Sequence, residues 1–206
     1  MFNRFRGAFA LALLFAFAAP DAHADNASPR EVVEHFYGTL LDVMKQSKTL
    51  GYNGRFQELE PAIAQAFHLP LMARVAAGRH WGEFNPQQQS TLVEAFARMT
   101  TATYASRFNG YSGEKFVIGD EVSVQENSRI VKTQIVKSGG EPVDINYLVR
   151  QFEDGWRVVD IFLKGTYSEM ATRRSEYTSV LDRQGLDGLV RTIDGKVAQL
   201  AVEKDG

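Results

Sequence analysis

Apolar side chains follow two periods along this chain, about 3.6 in its first and last parts and 2 between them. Ser28-Pro29-Arg30-Glu31 places a cap, a proline and a glutamate where a helix start wants them. Val33, Phe36, Leu40 and Met44 follow at helical spacing, and Gly51 is the expected stop. A second helical stretch runs from about Arg55 to Phe67 with Phe56, Leu59, Ile63 and Phe67, and Pro61 either kinks it or starts a new helix. Leu69 to Ala77 reads as a short apolar helix ended by Gly78. Asn85-Pro86-Gln87-Gln88 repeats the start signal, and its helix runs to about Phe108. Leu92, Phe96, Met99 and Thr103 share one stripe of it, with Tyr104 and Phe108 beside them; Asn109-Gly110 ends it.

From Glu114 the period becomes two. Four strands are predicted: Lys115–Val124, Ser128–Lys137, Val143–Phe152 and Trp156–Lys164. Their spacers, Gln125-Glu126-Asn127, Ser138-Gly139-Gly140 and Glu153-Asp154-Gly155, are short and rich in turn formers, which predicts sequential antiparallel hairpins. Helix returns with Met170, Arg174, Tyr177 and Leu181, breaks at Gln184-Gly185, and resumes with Leu186, Leu189, Ile193, Val197 and Leu200. Helices, a meander, then helices make an α+β fold, and the absence of a βαβ pattern excludes a Rossmann-type sheet. In the third strand Val143, Ile145, Tyr147 and Val149 share a face. In the fourth, Val159, Ile161 and Leu163 share one and Trp156, Val158 and Phe162 the other. A sheet this apolar wants cover on both sides, and its curved interior is filled either by helices or by a ligand.

The 206 residues carry a net charge of −2 and no cysteine. Near-neutral charge argues against a protein built to hold phosphate backbones, so no nucleic-acid partner is expected. Without cysteine there is no disulfide, thiolate metal site or cysteine nucleophile. Residues 1–24 read as a different object from the rest. Arg4 and Arg6 precede a 12-residue apolar run from Ala8 to Ala19; Pro20 breaks it, and Ala22-His23-Ala24 is an A-x-A cleavage site. That run is too short to span about 30 Å of hydrocarbon, so a secretory signal is the expectation. Its removal leaves 182 residues, 25–206, as one domain, and takes away two arginines and one aspartate, so that the charge becomes −3.

The chemical inventory is thin. No metalloprotease, nucleophile-elbow, Walker or dinucleotide motif occurs. His35, His68 and His80 are scattered, and neither His35 nor His68 has a helical partner for a metal. Asp144 and Asp160 lie on predicted strands. A desolvated carboxylate there, with Tyr147 polarising a carbonyl, would suit a small isomerase or hydratase; the alternative is an outward Asp144 and a paired Asp160. Lys164, Arg173, Arg174, Arg183 and Arg191 cluster late in the chain, interleaved with Glu169, Glu176, Asp182 and Asp187.

Several stretches resemble one family in its own order. Phe67–Trp81, FHLPLMARVAAGRHW, resembles the F-x-x-x-x-x-A-x-x-x-L-G-x-x-W region of the MlaC-type proteins, also called toluene-tolerance auxiliary proteins, with Ala77 in place of the usual leucine. Pro142–Tyr147 resembles their P-V-x-V-x-Y strand, Trp156–Ile161 their W-K-V-Y-D-V strand, and Gly185–Val190 their terminal G-x-D-x-L-I. Gly165–Tyr177 departs from the common pattern, and its G-T-x-S-E-x-A-T-R-R form looks like the hopanoid-biosynthesis-associated HpnM branch.

The resemblance implies a periplasmic lipid carrier of a Gram-negative bacterium. Its fold would be a curved four-stranded antiparallel sheet wrapped by the N- and C-terminal helices around an apolar pocket. The ligand would be a phospholipid or a hopanoid. The partners would be an inner-membrane lipid transporter, of ABC/MCE or of resistance–nodulation–division type, and an outer-membrane complex. No catalytic residue, metal or cofactor is expected. Met72, Val75, Phe96, Met99, Tyr104, Val143, Ile145, Tyr147 and Trp156 are the expected pocket lining, from their places on apolar faces. Arg79, Lys164, Arg173 and Arg174 are the candidates for a head group or partner at the mouth. A non-catalytic envelope adaptor with a fully packed sheet is the remaining alternative.

Overall fold

The computed structural model describes residues 27–137 and 139–202. The secretory signal expected at 1–24 lies outside the described residues, as does Ser138 of the second predicted turn. The order is α1 (Pro29–Lys45), α2 (Ser47–Ala66), α3 (Leu69–Ala77), a 3-10 turn (Gly78–Glu83), α4 (Pro86–Arg107), β1 (Lys115–Gln125), β2 (Ser128–Val136), β3 (Val143–Phe152), β4 (Gly155–Leu163), β5 (Tyr167–Ser168) and α5 (Glu169–Val202).

Local chemistry sets the helix ends. Ser28 and Glu31 form a reciprocal capping box at α1, and Asn85 and Gln88 form another at α4. His68 caps α3 differently: its Nδ1 accepts from the Leu71 amide at 3.1 Å. α1 ends at Lys45, before the expected stop; Gly51, at φ 58°, instead breaks α2, which begins earlier than expected, at Ser47, and continues past Pro61. Gly185, at φ 65°, breaks α5 in the same way, so the predicted pair of last helices is one run bent at that residue.

The sheet is an antiparallel meander in the order β1-β2-β3-β4-β5. The fifth strand was not expected from the sequence. It is two residues long and joins β4 through Lys164 and Gly165, which both have positive φ, as a type I′ turn requires. A second departure lies in β4. Leu148 pairs with Asp160 and Val149 with Val158, so Val159 is an extra, bulged residue. The bulge turns Val158 to the same side as Ile161, and both are buried. Strict alternation from the sequence had put them on opposite faces.

The inner face of the sheet packs on the helices around one core. Phe36 of α1 meets Phe67 and Tyr104 edge to face, each at 5.1 Å between ring centroids. Phe67 also bridges to Val158, and the His68 amide donates to the Val158 carbonyl at 2.9 Å, which fastens the α2–α3 junction to β4. Among the described residues no helix is long and apolar enough to cross a membrane.

Candidate functional site

Between α4, α5 and the inner face of β3 and β4 the core is not filled. A cavity of about 310 Å³ remains there. That volume sits at the lower end of the roughly 300–1,000 Å³ typical of ligand sites. Its presence removes the main support from the packed-adaptor alternative.

Each wall follows from the periodicity of its element. On α4 the stripe Phe96, Met99, Thr100, Thr103, Tyr104, Arg107 faces the cavity. Phe96 and Arg107 lie three turns apart, about 16 Å, so the cavity is elongated. On β3 alternation brings in Val143, Ile145 and Tyr147, and on β4 Ile161 and Leu163. α3 adds Met72; α5 adds Glu169, Met170, Arg173 and Tyr177.

The two ends differ in chemistry. Met72, Phe96, Met170 and Tyr177 are buried, and Phe96 and Tyr177 meet edge to face at 6.3 Å. At the other end Arg107 and Lys164 are exposed, beside Phe108 and the partly buried pair Arg173–Glu169, whose nearest atoms are 3.0 Å apart. Arg107 and Lys164 have no ion pair among the described residues. Glu176 also pairs with Arg173 at 3.4 Å, so three cations stand against two carboxylates, and Arg107 and Lys164 supply the rim's excess of positive charge. Lys164 is also the sole non-glycine residue at positive φ (50°) among the described residues, so the backbone is strained where the rim turns.

The polar groups of the walls are mostly satisfied within the protein. Thr100 and Thr103 donate to the Phe96 and Met99 carbonyls at 2.9 and 2.8 Å. The Tyr147 hydroxyl lies close to those of Tyr37 and Tyr104, and Tyr37 meets Thr133 at 2.5 Å. Burial pushes the Tyr37 phenol up to about 12 and raises Tyr104 and Tyr147 as well, so these hydroxyls stay neutral.

Seven of the nine expected lining residues are brought together here: Met72, Phe96, Met99, Tyr104, Val143, Ile145 and Tyr147. Two are not. α3 turns Met72, Ala73, Ala76 and Ala77 inward, and Val75 outward at 37% exposure. Trp156 lies at the start of β4, the far end from Leu163, where its ring takes the Arg129 guanidinium at 5.7 Å. Of the four expected basic residues, Lys164 and Arg173 reach the rim. Arg79 instead pairs with Asp182 on the seam between the 3-10 turn and α5. Arg174 is exposed and lies over Gly78, one helix position round from Arg173. The sequence reading had put Arg174 on the inward stripe of α5; the inward spacing is Met170, Arg173, Tyr177. Arg107 was missed, although extending the α4 stripe by one turn finds it. Leu163, Glu169 and Met170 were missed because the way α5 packs against the sheet is a tertiary fact.

The acid–base pair of the enzyme alternative is not assembled. Asp160 is next to Ile161 on β4 and faces away from the cavity, whereas Tyr147 faces into it. The Asp160 carboxylate accepts from the Ile161 amide at 2.7 Å, the Ser168 hydroxyl at 2.6 Å and the Met170 amide at 3.1 Å. It therefore anchors the start of α5. Asp144 is exposed and accepts from Gln134 at 2.8 Å. No group of three or more His, Asp or Glu side chains is arranged for a metal among the described residues.

Comparison with known proteins bears on this geometry. Residues 34–194 match the family model described as MlaC protein. A solved structure, the phospholipid-binding protein from Ralstonia solanacearum in complex with a phospholipid, superposes with a TM-score of 0.74 at 23% identity. The alignment covers 85% of this chain and 99% of that one, and the likeness establishes the fold. No match is found among curated proteins.

Proposed function

The chain belongs to the MlaC family, and from that premise we propose that it is a periplasmic lipid carrier without catalytic activity. The observation that carries this reading is the elongated cavity between α4, α5 and the sheet, apolar at its closed end and cationic at its rim. That gradient suits an amphiphile whose tail goes in and whose anionic or polar head stays at the mouth. The Ralstonia protein of the same fold is described with a phospholipid bound, which supports the same ligand class here. Met72, Phe96, Met99, Tyr104, Val143, Ile145 and Tyr147 would hold the apolar part; Lys164, Arg173 and Arg107 would face the head group.

The energetics fit passive carriage. Each tail methylene that the cavity takes out of water is worth about 0.8 kcal/mol gross. A membrane offers the same tails nearly the same environment, so the net preference is small and exchange needs no nucleotide. Direction would come from partners: an inner-membrane transporter, of ABC/MCE or resistance–nodulation–division type, and an outer-membrane complex. The HpnM-like Gly165–Tyr177 stretch favours a hopanoid as cargo, because it includes the Arg173 and Tyr177 wall of the cavity.

Native mass spectrometry of the protein purified from a hopanoid-producing host tests this directly. A stoichiometric lipid adduct is expected, and its mass distinguishes phospholipid from hopanoid. A chain that purifies empty and extracts no lipid from vesicles would sink the proposal.

A further inference from the structure

We propose that a second cavity, between α1 and α2, takes the second tail of a diacyl lipid, and that the ring pair Phe36–Tyr104 is the gate between it and the first. This rests on the reading of the first cavity as a lipid site and deepens it, by saying how two tails are housed.

The first cavity is narrow for such a cargo. It holds about 310 Å³ along about 16 Å of α4. An extended chain advances roughly 1.2 Å per bond, a third of the rise of a three-bond residue, so a tail of about 14 carbons already spans that length. A diacyl lipid brings a second such tail from the same glycerol.

Room for it lies behind Tyr104. A cavity of about 330 Å³ opens between α1, α2 and the start of β4. Its floor is apolar: Val32 and Phe36 of α1, Ala62 and Ala66 of α2. The two alanines stand four residues apart on one helix face, and their small side chains leave the space open. The lip is polar, with His35 and Gln65 exposed, but the Arg157 guanidinium is already taken by Asp154 at 3.2 Å. It therefore offers a phosphate no excess of positive charge, unlike the rim of the first cavity, whereas the floor suits hydrocarbon.

Two rings stand between the cavities. Tyr104 lines the first and Phe36 the second, and they meet edge to face at 5.1 Å. Each ring borders open space on the side away from the other, so a change of rotamer has somewhere to go. Phe36 carries no polar group, and its side-chain rotation breaks no hydrogen bond. A lipid that binds the parted rings better than the closed pair shifts the population towards them. The level of the gate also fits. Tyr104 is within one turn of Arg107 at the rim, and Phe96 lies about two turns deeper. A lipid whose head stays at the rim has its branch point beside the gate. One tail then runs down to Phe96 and the other past Phe36.

The test fills the second cavity with Ala62→Trp, from a half-buried position on its α2 wall. Wild type and variant, as full chains stripped of lipid, are titrated by native mass spectrometry against two lipids. These are 1-myristoyl lysophosphatidylglycerol and dimyristoyl phosphatidylglycerol, alike in head and tail length but with one tail or two. The variant should take up the one-tailed lipid as wild type does. It should take up the two-tailed lipid at least about tenfold less well, the equivalent of about two methylenes kept out of the protein. Undiminished uptake of the two-tailed lipid overturns the proposal, and so does an equal loss of both. A second measurement uses wild type alone, so it stands even if Ala62→Trp fails to fold. Phosphatidylglycerol with a diazirine at the end of its second tail is photolysed in the complex and the labelled peptides are identified. Label on 32–39 or 62–66 is expected; label confined to α4, α5 and the strands overturns the proposal. If wild type takes up neither lipid, the carrier reading itself falls, a failure distinct from a chain that binds both and labels only the first cavity.

Discussion

Tyr37 on α1 and Thr133 on β2 meet hydroxyl to hydroxyl at 2.5 Å, behind the wall of the cavity. Thr133 also donates to the Ile145 carbonyl on β3, so Tyr37 is the donor to Thr133. The Tyr37 ring packs edge to face on Tyr147 at 5.6 Å. One buried polar link therefore ties the first helix to the two central strands, and the Tyr147 ring that packs on it lines the cavity. Thr133→Val keeps the shape but removes the acceptor. It should cost about 1–3 kcal/mol in urea unfolding, because the Tyr37 hydroxyl is left unpaired in the core. Adding Tyr37→Phe should recover part of that loss, since both ends are then apolar. Strictly additive losses in the double variant would show that the two hydroxyls are not coupled.

Filling the cavity should separate folding from binding. Thr100 lies midway along the α4 wall, half-buried, with its hydroxyl already tied to the Phe96 carbonyl. Thr100→Trp places an indole where the ligand's apolar part belongs. Lipid recovered with the purified protein should fall severalfold, while the melting temperature holds or rises. Undiminished lipid with a folded Thr100→Trp chain would move the binding site elsewhere.

Most of this architecture was legible along the chain because it is local. Capping boxes at Ser28 and Asn85, the breaks at Gly51 and Gly185, and four strand positions all follow from short-range rules. The cavity walls on α4 and β3 were legible for the same reason: a helical stripe and an alternating strand state which face turns inward. What the sequence hid were changes of phase and of partner. The bulge at Val159 shifts the β4 alternation by one residue, and nothing in Val158-Val159 marks it. Val75 and Met72 are both apolar on one short helix, and only the docking of α3 decides which is inside. Arg173 and Arg174 are chemically identical neighbours, so the way α5 packs decides which reaches the rim.

Charge at the rim should govern which head groups are taken. Arg107→Glu should weaken uptake from anionic vesicles, by up to about fivefold for one exposed charge, and should leave uptake from zwitterionic vesicles nearly unchanged. The difference should shrink as salt shortens the screening length below about 8 Å. An equal effect on both vesicle types would show that Arg107 acts through packing.

Lys164 allows a sharper version of the same experiment. Its positive φ of 50° costs about 1–2 kcal/mol for a residue with a Cβ. Lys164→Gly removes that strain but adds roughly 0.5–1 kcal/mol of unfolded-state entropy. The variant should therefore be as stable as wild type or slightly more so, while taking up less anionic lipid. A clear loss of stability would mean that the lysine side chain, rather than the glycine-like backbone, is what the turn requires.

The seam between the 3-10 turn and α5 should respond to pH. His80 bridges Glu83 at 3.0 Å and Asp182 at 2.8 Å, and Asp182 also takes the Arg79 guanidinium. The hydrogen bond to Glu83, then that to Asp182, raises His80 above the ordinary histidine value of 6.5. Hydrogen bonds from Arg79 and then His80 hold Asp182 below the usual carboxylate value. For His80 the folded state binds the proton more tightly, so its contribution is complete below the unfolded pKa and fades as pH rises through the raised one. For Asp182 the contribution is present above the ordinary carboxylate value and is lost as pH falls through the lowered one. Melting temperature should thus decline as pH rises through the His80 titration, and His80→Ala should flatten that limb. Because His80's partners are exposed (Glu83 at 64% and Asp182 at 41%), the amplitude should be small and should diminish with salt. Proton NMR of the His80 ring between about pH 5 and 8 reads the titration itself; a midpoint at or below the ordinary value would refute the clasp.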